Sequence, residues 1–214
     1  MKKLIFIMLI AISAVSAVAF IRESGVVKWS AGLKDMPDTA DAQQIMRTIQ
    51  RAYELEAKAA CTFDISEFPT VFINDPRGGA LDPSTAEFVR DVLNGPSLPA
   101  PGYLDYKVAY YQWWAEGAAR WEALQARAAA EGRNWTQDEM ASLVDSKGRM
   151  AGPRGCPGPE AGGSKIDLEF LSLHINGDVA SVVFDDGPRT NQMTLVKVNH
   201  QWYIAGNRIL ALHP

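Results

Sequence analysis

The spacing of apolar and polar residues changes character near Ile166. From there the chain alternates with a period of two. Ile166-Asp-Leu-Glu-Phe170 is apolar at every second position, and the apolar set then shifts phase to Leu171, Leu173 and Ile175. A half-buried strand has this period, so the phase change predicts a bulge or strong bend that carries the apolar set to the other face. Asn176-Gly177 predicts a tight hairpin of type I′, because both residues accept positive φ. Val179 to Phe184 is apolar on both faces and reads as a central strand. Asp185-Asp186-Gly187-Pro188 supplies a turn, Asn191 to Val198 a third strand, and Asn199-His200 a two-residue connection. A fourth run starts at Gln201 and continues past Gly206 towards Leu212. Together these predict an antiparallel meander.

Upstream the period is helical. Pro37-Asp38 opens a helix over about Thr39 to Ala60, with Asp38 as N-cap, Asp41 in the first turn, and Ile45, Ile49, Ala52 and Tyr53 as its apolar stripe. Cys61 to Arg77 breaks that period, and Thr70-Val-Phe-Ile73 reads as a short strand or a tucked-in turn. Asp82-Pro83 starts a second helix through Phe88, Val89 and Val92 that stops at Asn94-Gly95. Tyr103 to about Glu131 is a long helix. Its aromatic residues Tyr103, Tyr106, Tyr110, Tyr111, Trp113, Trp114 and Trp121 exceed what one buried stripe needs. They predict either a helix packed on two sides or the wall of a binding pocket. Thr136-Gln-Asp-Glu139 is a capping box opening a short helix through Leu143 and Val144. Met150 to Ser164 is rich in glycine and proline and reads as a loop.

Composition narrows the function classes. The chain has 214 residues, a formal charge of −4 and 47% hydrophobic residues, which suits one globular domain with an insertion. An acidic surface without basic clusters argues against nucleic-acid binding. Residues 1–21 read as a signal peptide or N-terminal membrane anchor: Lys2-Lys3 precedes an apolar run, and Ala17-Val18-Ala19 fits a small-x-small cleavage pattern. Either places the rest of the chain outside the cytoplasm, secreted or anchored, with membrane contact only through that segment. Residues 22–36 read as a linker, leaving 37–214 as the folded domain. Cys61 and Cys156 are disulfide candidates in an oxidising compartment, with two independent thiols as the alternative.

The ending Leu195-Val-Lys-Val-Asn-His-Gln-Trp-Tyr-Ile204, and the upstream hairpin Gly177-Asp178-Val179-Ala180-Ser-Val182, resemble the nuclear-transport-factor-2-like superfamily, which includes SnoaL-like and ketosteroid-isomerase-like proteins. The likeness is firmest over 166–207 and extends to the helix over 39–60, whereas 97–163 departs from the pattern as a helical insertion. The resemblance implies an α+β, cone-shaped fold in which N-terminal helices pack on a curved antiparallel sheet around an apolar cavity. It implies lining residues among Tyr53, Tyr110, Tyr111, Trp114, Phe170 and Trp202, and, by the habit of the superfamily, a homodimer formed through the sheet face. The superfamily holds enzymes and binding domains alike, so fold alone does not choose between them.

Ketosteroid-isomerase-like members use a carboxylate base with a tyrosine, for which Asp64, Tyr53 and Tyr110 or Tyr111 are the candidates here. None matches a catalytic motif, and Asp64 in Asp-Ile-Ser-Glu suits a capping role better. His174, His200 and His213 are scattered and lack metal-ligand spacing. Asp185-Asp186-Gly187 suits a turn better than a calcium loop. Neither a cofactor nor a Ser, His and Asp arrangement is expected from the motifs. The expected function is therefore a non-catalytic extracytoplasmic domain that binds a small apolar ligand or a protein partner. The alternatives are an isomerase, cyclase or hydratase using a cavity carboxylate with a tyrosine, and a dimeric structural component of the cell envelope.

Overall fold

The computed structural model describes residues 27–31, 36–79, 81–92, 101–144, 148–150, 152–153, 155 and 166–214. The leader over 1–21, the helix stop at Asn94-Gly95 and Cys156 lie outside the described residues. The fold is α+β, with helices packed with an antiparallel meander. The chain divides into two compact units, Met1–Glu54 with Gly158–Pro214, and Leu55–Pro157.

The first unit is built on a five-stranded sheet of order β1-β2-β3-β4-β5. β2 (Ile166–Asn176), β3 (Val179–Asp185), β4 (Arg189–Val198) and β5 (Gln201–Leu212) form the expected meander. β1 (Val27–Ala31) lies parallel to β2, pairing Val27 with Ile166 and Trp29 with Leu168. It occupies the stretch read as linker, which is too short to display a period and takes its partner from the far end of the chain.

Register explains the phase change in β2. Phe170 pairs with Phe184 and Leu173 with Val182, with an irregularity between Phe170 and Ser172. One extra residue, Leu171, therefore restores the apolar set to the face it left. Leu173 and Ile175 share the face of Val182 and Ala180, and Leu171 itself is exposed. The bulge was expected, but its effect is the reverse of the expected change of face. The first hairpin also differs from expectation. Asn176 pairs with Val179, so the turn residues are Gly177-Asp178. Only Gly177 has positive φ, at 59°, which fits a type II′ turn. The I′ pattern is found instead at Asn199 and His200, with φ of 50° and 65°.

The stripe of α1 (Ala40–Thr62) supplies Ile45, Met46 and Ile49 to the core, with Trp29, Leu168, Phe184, Leu195, Trp202 and Ile204. Within this unit helix and sheet are tied by hydrogen bonds as well. The Trp29 indole donates to the Met46 carbonyl at 3.3 Å, and the Thr48 hydroxyl to the Trp202 carbonyl at 3.4 Å. The side chain that caps α1 is Thr39, whose Oγ1 accepts from the Ala42 N–H at 3.1 Å, one residue later than the expected Asp38.

The second unit holds the last turns of α1, a 3-10 turn at Phe68–Thr70, α2 (Pro83–Val92), α3 (Tyr103–Ala130) and α4 (Gln137–Ala141). Asp82 caps α2 by accepting from the Thr85 N–H at 3.1 Å. Thr136 and Glu139 form the expected capping box of α4. The start of α3 is fixed from a distance: the Asn74 side-chain oxygen accepts from the Asp105 N–H at 3.1 Å. Asn74 lies so close to Gly102 that a Cβ there would stand 2.2 Å from its Oδ1, so any larger residue at that position must displace Asn74.

Candidate functional site

In the first unit Tyr53 reaches a carboxylate, but it is Asp186 and not Asp64. The phenol donates to Asp186 Oδ2 at 2.9 Å. Asp186 is buried at the β3–β4 turn, and Arg189 also binds it, through its backbone N–H at 3.0 Å and its guanidinium at 2.8 Å. A carboxylate accepting from three donors, one of them cationic, acts as a fastener between helix and turn. The Tyr53 ring stands edge-on to Phe184 at 6.0 Å, and Phe184 edge-on to Trp29 at 5.5 Å. Phe170 is buried across from Phe184 in the sheet.

Trp202, another lining candidate, is fully buried, and its indole N–H donates to Asp41 Oδ1 at 3.0 Å. Lys197 donates to the same oxygen at 2.7 Å and stands 5.5 Å from the Trp202 ring. The hydrogen bond from Lys197, and then that from Trp202, hold the Asp41 carboxyl below its usual range. The link joins the first turn of α1 to the β4–β5 hairpin.

A hydroxyl, an imidazole and a carboxylate also meet, although no motif announces them. Thr190 Oγ1 donates to Asp185 Oδ1 at 2.5 Å, and His213 Nε2 lies 2.9 Å from Thr190 Oγ1 and 3.1 Å from the same Asp185 oxygen. This is not a nucleophilic triad, in which the base takes the hydroxyl proton and the carboxylate binds the other ring nitrogen. Here one imidazole nitrogen faces both partners.

The second unit contains the remaining candidates. Asp64 is exposed, bonded to Ser66 through N–H and hydroxyl at 3.1 and 2.6 Å, and ion-paired with Lys58 at 2.9 Å. The Ser66 hydroxyl and then Lys58 push its carboxyl far below the usual range. That is the opposite of what a general base needs. Tyr110, Tyr111 and Trp114 do come together: Tyr110 lies 5.4 Å from Tyr111 and 6.1 Å from Trp114, with 5.9 Å between Tyr111 and Trp114. α3 is packed on two sides. Phe68 and Phe72 meet Tyr111 and Tyr103 at 5.2 and 5.9 Å, whereas Phe88 of α2 meets Tyr106, Tyr110 and Trp113 at about 6 Å.

A lysine sits inside this aromatic cluster. Lys107 donates to Glu56 Oε1 at 2.7 Å and stands 5.4 Å from the Phe72 ring and 5.3 Å from Tyr103. Burial is the strongest single influence and opposes its charge, but the Glu56 carboxylate together with the Tyr103 and Tyr106 phenols raises the ammonium well above its usual range. Burial pushes the Tyr103 phenol up to about 12. Cys61, at the end of α1, is disulfide-bonded, and the Gly155 N–H donates to the Ala60 carbonyl at 3.0 Å.

Sequence reasoning missed Asp186, Asp41 and Lys107 as organising charges. Lys107 carried a readable signal, a cation inside an aromatic run. The other two act through partners remote in the chain. Among the described residues no group of three or more His, Cys, Asp or Glu side chains is placed to hold a metal ion, and no helix is long and apolar enough to cross a membrane. No protein family, no curated protein and no solved structure matches this chain.

Proposed function

We propose that this chain is a non-catalytic, extracytoplasmic binding domain with a nuclear-transport-factor-2-like fold, and that its ligand is a protein partner rather than a small apolar molecule. The observation carrying the reading is the state of the Tyr53–Asp186 pair. It is the carboxylate–tyrosine contact an isomerase would need, but Arg189 occupies the carboxylate at 2.8 Å. Irregularities along β2–β3 and β4–β5 are the kind that curve a sheet, which supports the cone-like fold. Trp202, Phe184, Ile45 and Ile49, from α1 and the sheet, are each fully buried, which supports the protein partner over a small ligand entering from solvent. Exposed Ile209, Leu210 and Leu212 offer apolar surface for such a partner to cover.

Tryptophan emission, followed while a panel of lipids and apolar dyes is titrated into the full-length chain, is expected to show no saturable quenching. Saturable quenching at micromolar ligand would replace the partner by a small molecule. A photo-reactive residue at Ile209, activated in the producing cells, is expected to give protein adducts, and their absence would remove the partner reading. The isomerase-type reading has the 2.9 Å Tyr53–Asp186 contact in its favour. It requires that Arg189→Met, which frees Asp186 from the guanidinium, keep the fold and gain isomerase-type turnover that Asp186→Asn then abolishes.

A further inference from the structure

We infer that His213, Asp185 and Thr190 form a pH-sensitive clamp on the C-terminal end of β5, tightest when the imidazole is protonated. The end of β5 has little else to hold it. From Asn207 to Leu212 every residue is exposed, and among the described residues the strand is paired there only with Arg189–Met193 of β4. Just beyond it, the His213 N–H donates to the Pro188 carbonyl at 2.8 Å. That bond sets the imidazole over the cross-strand pair Asp185–Thr190, 3.1 Å from the carboxylate and 2.9 Å from the hydroxyl.

Histidine is the side chain whose charge changes between about pH 5 and 8. The groups bonded to this imidazole are the Asp185 carboxylate at the end of β3 and the Thr190 hydroxyl on β4, and on the same face Glu169 of β2 is the cross-strand neighbour of Asp185, a second acidic group that also favours the protonated ring. The other charges of the turn, Asp186 and Arg189, are paired with each other at 2.8 Å. The Asp185 carboxyl is held below its usual range, first by Thr190 and also by His213, so it stays ionised throughout the interval in which histidine titrates. Protonation turns a neutral hydrogen bond into a charge-assisted one, which is stronger. Deprotonation leaves one ring N–H to serve either partner and removes the charge. The clamp therefore holds Ile209, Leu210 and Leu212 against β4 more firmly in mild acid, and lets them fray more often as the pH rises. Exposed ion pairs are weak, so the change is expected to be about three-fold in the frequency of local opening.

Amide hydrogen exchange of the full-length chain tests this, with rates corrected for their intrinsic pH dependence. Protection of the amides from Ile209 to His213 is expected to be about three-fold greater near pH 5.5 than near pH 7.5. The dependence should vanish in His213→Gln and in Asp185→Asn. Protection of Ala180 and Val182 in the core of β3 reports that each variant is folded, and is expected to stay the same. Equal protection at both pH values in the unaltered chain, or a dependence that survives His213→Gln, would overturn the clamp.

Discussion

His200 has φ of 65° beside Asn199 at 50°, and Phe63 has φ of 57° at the end of α1. A side chain held in the left-handed region costs about 1–2 kcal/mol, and glycine there gives back about 0.5–1 kcal/mol through its freedom in the unfolded chain. His200 is exposed in a type I′ turn that favours glycine. His200→Gly is therefore expected to raise stability by about 0.5 kcal/mol, read as a higher urea midpoint at unchanged slope. Phe63 differs because its ring packs edge-on against Trp114 at 5.8 Å, so Phe63→Gly is expected to lower stability by about 1 kcal/mol despite the same backbone relief. Equal gains at both sites would mean that the ring contact contributes nothing. The Asp186 side chain is only 2% exposed. Removing it in Asp186→Ala deletes the carboxylate that Arg189 and the Tyr53 phenol share, at a cost of about 2–3 kcal/mol. Tyr53→Phe forgoes one hydrogen bond and is expected to cost about 1 kcal/mol by the same measurement.

Between elements, charge and close approach decide the packing of the second unit. Lys107 joins α3 to α1 through Glu56, with 12% and 28% of the two side chains exposed. Lys107→Met alone leaves a half-buried carboxylate and is expected to cost about 2–3 kcal/mol, whereas Lys107→Met with Glu56→Gln should recover most of it, because a buried pair is often replaceable by apolar packing. A double variant as unstable as the single one would show that Lys107 acts through its aromatic contacts instead. Gly102→Ala drives a Cβ into Asn74, which holds the Asp105 N–H. It is expected to cost about 1–3 kcal/mol, visible in the denaturation midpoint. The elements themselves were mostly legible in the sequence, because helix and strand periods and capping residues are local. Ile166 to Leu212 reads as four strands for that reason. The side to which the Leu171 bulge turns the chain was not legible, since only the pairings Phe170–Phe184 and Leu173–Val182 decide it. β1 was missed because five residues show no period and their partner is parallel and distant. The candidate site was less legible. Tyr53 was found, but Asp186 looked like a turn residue, and the contact that gives it a role spans from α1 to the β3–β4 turn.

At the scale of the molecule, the two ends of the pH range act through different groups. Asp41 titrates below its usual range because Lys197 and Trp202 bond to it, and Glu139 is lowered to about 2, chiefly by Arg133. A carboxylate with a lowered folded pKa contributes stability above its unfolded value, near 4, and loses it as the pH falls through the folded value. Asp41 is more than a third exposed, so its share is under about 1 kcal/mol. The alkaline limb has the opposite sign. Burial raises Tyr103 to about 12 and also raises Tyr110 and Tyr111. An unfolded tyrosine ionises near 10, so stability is full below about pH 10 and is lost as the pH climbs towards 12. The carriers of the alkaline loss lie on α3, in Leu55–Pro157, whereas Asp41 lies in the unit built on the sheet. Tyr103→Phe is therefore expected to flatten the decline above about pH 10 and leave the acid limb unchanged, while Asp41→Asn does the reverse. Urea midpoints measured across the pH range, with tyrosine ionisation followed by absorbance, would separate the two. If Tyr103→Phe left the alkaline limb as steep as before, the buried phenols of α3 would not be what limits the protein there.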